Sequence, residues 1–224
     1  GAWLIASARG PWSRLAGAAS VAWGLIVWVF GESFGGIFAP GLSWLTGAPG
    51  GVLSGDRHMI LVDRERWLLY ETWATRWNSV AGRWEAGSGA TFDMSSNARR
   101  PDGWTSADAA GLAIFPGLVR RDEVAASGPI QHAFRVTTRA TNGYVWPASH
   151  EAGTTAGAPP MGTRLRLKAQ VDISGFPADV RKIFQAMKSY GLIVADNGTD
   201  MYVTGTMDPA WDSDVLNPAF HSLT

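Results

Sequence analysis

Between Asp93 and Asp108 the chain runs DMSSNARRPDGWTSAD, which sets Asp93, Asn97, Arg99, Trp104 and Asp108 in one short stretch. Carboxylate, amide and guanidinium groups make paired hydrogen bonds to sugar hydroxyls, and an indole ring covers the apolar CH face of a sugar. Trp146 and His150, in YVWPASH, offer a second ring and a second polar group. These seven residues are the candidate ligand-binding set, and a glycan is the expected ligand. The competing structural reading is a well-ordered loop, in which Asx turns and Arg pairs only hold the backbone.

Other chemistries find less support. Glycoside hydrolysis needs two carboxylates about 5–5.5 Å or about 6.5–9.5 Å apart. Asp93, Asp108, Asp122, Glu123 and Asp196 are available, but no spacing pairs two of them. Asp122 and Glu123 are adjacent and would point to opposite faces of a strand. The four histidines, His58, His132, His150 and His221, show no HExxH or HxH spacing, so neither a metal site nor a cofactor is expected. Gly87-Ser88-Gly89 is not the G-x-S-x-G elbow, and neither a Walker sequence nor a dinucleotide glycine motif follows a strand. With no Cys, a disulfide framework, a thiolate metal site and a Cys nucleophile are excluded. Arg164, Arg166 and Lys168 alternate on one strand face, which reads as solvated surface, with anionic glycan or lipid head groups as the functional alternative. Formal net charge is zero, which argues against nucleic acid.

The elements that must position these groups are mostly strands. HMILVD and WLLYETW (58–63 and 67–73) have strand composition around a tight Arg64–Arg66 connection. Residues 84–92 read as a glycine-bearing strand and 93–103 as a turn-rich loop. Residues 131–138, 144–147 and 164–171 read as further strands, with a Gly/Pro/Thr loop over 151–162. One helix is clear over 178–190, where Val180, Ile183, Phe184 and Met187 fall at i, i+3, i+4 and i+7. Pro177 suits its start, Asp179 and Lys188 suit its two ends, and Gly191 stops it. Asp196-Asn197-Gly198-Thr199 between two apolar runs predicts a hairpin.

The chain changes character near Leu53. Of its 224 residues 46% are hydrophobic and only 17% charged, and the charge deficit lies mostly in the first quarter. Leu15–Gly31 carries no charge; as a helix it spans roughly 25 Å, near the lower limit for a bilayer of about 30 Å. Arg9 and Arg14 precede it, so the positive-inside tendency keeps the N-terminus cytoplasmic and sends the chain outward. Trp12, Trp23 and Trp28 suit the interfaces. A second uncharged stretch, 33–55, is broken by Gly35, Gly36, Pro40, Gly41, Pro49 and Gly50 and reads as interfacial or re-entrant.

The blocks SNARRPDGWTSADAAGLAIFPGLVRRDEV, IQHAFRV, YVWPASH, PPMGTRLRLKA and YGLIVADNG, with the helix between the last two, resemble a family of uncharacterised exported proteins, chiefly bacterial. The resemblance spans most of 55–224 and implies one extracytoplasmic β-rich domain of unassigned activity. GGIFAPGLSWLTGAPG and the run before it resemble a segment of a polytopic bacterial membrane protein. The expectation is therefore a hydrophobic anchor-like segment, 1–53, touching the lipid bilayer through 15–31. It precedes a mainly β domain, 54–224, an antiparallel sandwich or jelly-roll-like fold with one packed helix near 178–190. That domain would lie outside the cytoplasm and bind carbohydrate or cell-wall polymer. The rival expectations are a carbohydrate-active enzyme with two carboxylates and a structural or interaction protein of the envelope.

Overall fold

The computed structural model describes residues 56–223. The membrane-like stretches 15–31 and 33–55 lie outside them. Among the described residues no helix is long and apolar enough to cross a membrane.

The fold is mostly β, largely antiparallel, with few helices. It divides into two compact units. The smaller takes in 56–59 and 74–86 of the described residues. Its core is a hairpin of β3 (Arg76–Asn78) and β4 (Arg83–Glu85), in which Trp77 faces Trp84 with ring centres 5.4 Å apart. Arg76 pairs with Glu85 across the strands, and the Asn78 side chain accepts from the Val80 and Ala81 amides to form the turn.

The larger unit takes in 60–73 and 87–223. It holds a three-stranded sheet in the order β1 (Met59–Asp63, in this unit from Ile60), β2 (Leu68–Trp73), β5 (Ser88–Asp93). In β2 the residues Leu69 and Glu71 are buried while their neighbours are not, the alternation of a strand with one covered face. Residues 84–92, read above as one strand, are split: Arg83–Glu85 pairs with β3, and Ser88–Asp93 pairs antiparallel with β2. Ala86 and Gly87 separate the two pairings.

The second sheet of this unit has the order β7 (Arg164–Leu165), β8 (Leu192–Asn197), β6 (Phe134–Thr138), β9 (Tyr202–Val203). Here the structure corrects the expected hairpin at Asp196–Thr199. The strand β9 does not pair with β8; both pair with β6, which lies between them. The loop crosses the end of β6 instead, where the Gly198 amide donates to the Thr138 carbonyl and the Thr137 hydroxyl to the Thr199 carbonyl. All five residues of β6 are buried, so β6 gains more as a central strand than at an edge. The β6–β8 pair is parallel, and a parallel connection needs a long crossover. Helix α2 (Ala178–Ser189) lies within that crossover, and its Val180, Ile183, Phe184 and Met187 join Phe134, Val136, Leu192 and Val194 in the main core.

Two helices were not expected. The short α1 (Arg121–Ala125) has Asp122 and Glu123 in its first turn. In α3 (Ser213–His221), Asp212 caps the Asp214 and Val215 amides, and Phe220 packs edge-on against Phe184 with ring centres 5.2 Å apart. Pro218 stands inside α3 and hides its helical pattern. Residues 166–171 and 144–147, expected as strand, contain no strand beyond the isolated bridge of Tyr144 to Met161.

Candidate functional site

Strand β5 ends at Asp93, whose carboxylate accepts from the Ser95 amide at 2.8 Å and the Ser95 hydroxyl at 2.6 Å. This Asx turn sends the chain out of the sheet and holds the Asp93 carboxyl below its ordinary range. The loop that follows is tied down by Arg99, which donates to Asp102 at 2.5 Å and to the Ala148 carbonyl at 3.0 Å. The Gly103 amide donates to the Ser149 carbonyl, and the Ser149 hydroxyl donates to the Trp104 carbonyl. Gly111, at φ +74°, lets this weave close: a Cβ there would stand 2.1 Å from the Ser149 hydroxyl oxygen.

A cavity of about 710 Å³ opens beside this loop. Leu69 and Phe92 from the first sheet line it, with Asp93, Asn97, Arg99 and Arg100 from the loop. Phe115, Arg120, Glu123 and His132 line it too, and so does Trp146, which is 76% exposed.

Arg120, Glu123 and His132 form one hydrogen-bonded chain. Arg120 Nη2 donates to Glu123 Oε1 at 2.5 Å, and His132 Nε2 lies 2.9 Å from Glu123 Oε2. His132 Nδ1 lies 3.0 Å from the Ala133 carbonyl oxygen, so both ring nitrogens face oxygen acceptors. Arg120 also sits over the Phe115 ring at 5.3 Å. Both Glu123 oxygens and both His132 ring nitrogens have a protein partner. The trio is a rigid, charged wall rather than a free nucleophile or base.

Of the seven residues singled out in the sequence, Asp93, Asn97, Arg99 and Trp146 line the cavity. Trp104, 58% exposed, does not line it but lies under Arg100, which does. Asp108 is fully buried and receives Arg135 through both oxygens, at 2.9 Å from Nε and 2.7 Å from Nη2. That fork is closed by Thr204, which accepts from Arg135 Nη1. His150 is turned to the Ala109 carbonyl at 2.9 Å. Neither Asp108 nor His150 is among the residues lining the cavity.

Sequence reasoning did not single out Arg100, Arg120, Glu123 or His132 as site residues. Asp122 and Glu123, weighed in the sequence only as adjacent carboxylates, both lie in the first turn of α1. The available signal was an acidic pair opening a short helical stretch, which suits the positive end of a helix. Among the described residues no group of three or more His, Cys, Asp or Glu is placed to hold a metal ion. Comparison with family models, curated proteins and solved structures finds no match to the chain.

Proposed function

We propose that this chain is a saccharide-binding module of the bacterial envelope, holding a short stretch of glycan or cell-wall polymer in the cavity beside the Asp93–Arg100 loop. The observation that carries the reading is Trp146, an exposed indole at a cavity whose other lining includes the amide of Asn97 and the guanidinium of Arg99. An exposed indole at a cavity offers a flat apolar face, and a sugar's CH face is a natural cover for it. The volume falls within the range of ligand sites, roughly 300–1,000 Å³.

The reading extends to place and architecture. The domain stands outside the cytoplasm, behind a membrane span at Leu15–Gly31, as the charge pattern and the likeness to exported proteins suggest. The three- and four-stranded sheets are the two layers of a sandwich, a view supported by buried Leu69 and Ala90 in one and fully buried β6 in the other.

The hydrolase reading rests on Asp93 and Glu123, two carboxylates at the same cavity. Both are engaged, Asp93 by Ser95 and Glu123 by Arg120 and His132, which leaves neither as a proton donor in waiting. Binding without turnover is the better fit.

The test is calorimetric titration of the full chain in detergent with oligosaccharides, beside a Trp146→Ala variant. The variant should bind at least about tenfold more weakly with an unchanged melting temperature, since the ring is exposed. Unchanged affinity in the variant, or release of new reducing ends by the wild type, would overturn the reading.

A further inference from the structure

Three guanidinium groups line the cavity, and the protein neutralises two of them. Arg99 is paired with Asp102, and Arg120 with Glu123. Arg100 makes no hydrogen bond or ion pair with any described residue, and its Nε is buried without an acceptor. Its guanidinium carbon lies 5.9 Å from the Phe92 ring centre and 5.4 Å from that of Trp104. These rings hold the group and strip water from it, but they accept none of its protons in the manner of an oxygen. Burial pushes the Arg100 pKa down, with no carboxylate to offset it. A partly desolvated cation with no counter-charge is costly to keep, and an external oxyanion at its terminal nitrogens lowers that cost.

We propose that Arg100 is the anion-reading residue of this cavity and that the saccharide bound there is acidic, carrying the carboxylate of a uronic acid. The inference rests on the saccharide reading above. The planar fork of Arg fits a planar carboxylate through two parallel hydrogen bonds. Among the described residues lining the cavity, one uncompensated guanidinium matches a monoanion. Asp93 and Glu123, already engaged at the same cavity, would repel a more highly charged group.

The experiment titrates the full chain in detergent with a trigalacturonate, with the neutral trisaccharide of the same linkage, and with a glycerol phosphodiester oligomer. Wild type, Arg100→Gln and Arg100→Lys are compared. The acidic trisaccharide should bind at least about tenfold tighter than the neutral one, a preference that the Gln variant loses and the Lys variant keeps in part. The neutral trisaccharide, titrated on all three, measures any loss common to both sugars, so the ratio of the two affinities is the readout. Equal affinity for the two trisaccharides, or a preference that persists in Arg100→Gln, overturns this inference and leaves the saccharide reading standing. Tighter binding of the phosphodiester overturns the carboxylate assignment. Binding of neither trisaccharide overturns the saccharide reading, and this inference with it. Should Arg100→Gln fail to fold, salt decides on the wild type: a charge-read preference shrinks several-fold between low and high ionic strength, and a salt-independent one overturns the inference.

Discussion

Glu71 is the residue where burial and hydrogen bonding oppose each other most directly. It is fully buried, yet both carboxylate oxygens accept from backbone amides, Ile114 at 2.7 Å and Phe115 at 2.8 Å. Loss of water outweighs the amides, with Asp108 adding repulsion, and the pKa is pushed up from 4.5 to about 7. The folded state therefore keeps a proton that the unfolded chain has already released. Stability through this group should fall as pH rises from about 4.5 through about 7 and be level above that. The loss is on the order of 3 kcal/mol. Urea unfolding between pH 4 and 8 should show it in wild type, and Glu71→Gln should remove that slope because an amide does not titrate. Parallel pH profiles for the two proteins would show that Glu71 titrates as an ordinary carboxylate. Ile114 lies beside the turn at Phe115–Gly117, and Phe115 lines the cavity, so Glu71 links the first sheet to the cavity wall.

At the scale of elements, α1 depends on a partner far along the chain. Five residues are too few for a helix to stand alone. Lys182, on α2, supplies what α1 lacks: its Nζ donates to the carbonyls of Glu123, Val124 and Ala126. A cation at the C-terminal carbonyls meets both their hydrogen-bonding need and the negative end of the helix. Lys182→Met should lower stability by about 1–3 kcal/mol, read as a shift of the urea midpoint. It should also weaken the proposed glycan binding, because α1 carries Glu123 to the cavity. A variant as stable as wild type would show that α1 is held by packing alone. The helix α2 itself was legible because its apolar residues repeat at the helical period and its two ends carry matching signals. The sheet order was not. The residues Arg135 and Thr137 in β6 suggest a half-exposed strand, and the fork to Asp108, 27 residues away, with Thr204 beside it, satisfies Arg135 and allows a central position.

For the whole molecule, the N-terminal charge pattern makes a claim that can be checked on the full chain. If Leu15–Gly31 spans the bilayer, the protein should sediment with membranes, resist extraction by high salt and alkaline carbonate, and come off in detergent. The paired substitutions Ala22→Asp and Gly24→Asp should release it, since a charge at the centre of a span costs about 2.5–3.5 kcal/mol on insertion scales. Salt extraction of the unaltered chain would instead place residues 15–31 in a fold rather than a membrane.

The candidate site divides in the same way as the fold. The loop that holds Asp93, Asn97 and Arg99 was visible because polar and aromatic types crowd one short stretch, and such crowding is local. The sequence by itself determined the strand-rich class, the main helix, the loop and the absence of thiol chemistry, all set by near neighbours and by composition. The tertiary structure alone decided that Asp108 is spent on Arg135, that β6 divides β8 from β9, and that Glu123 meets His132. It alone decided, too, that of the three arginines lining the cavity Arg99 and Arg120 find carboxylates among the described residues and Arg100 does not. Pairing is a competition among groups distant in sequence, and only folding brings the competitors together.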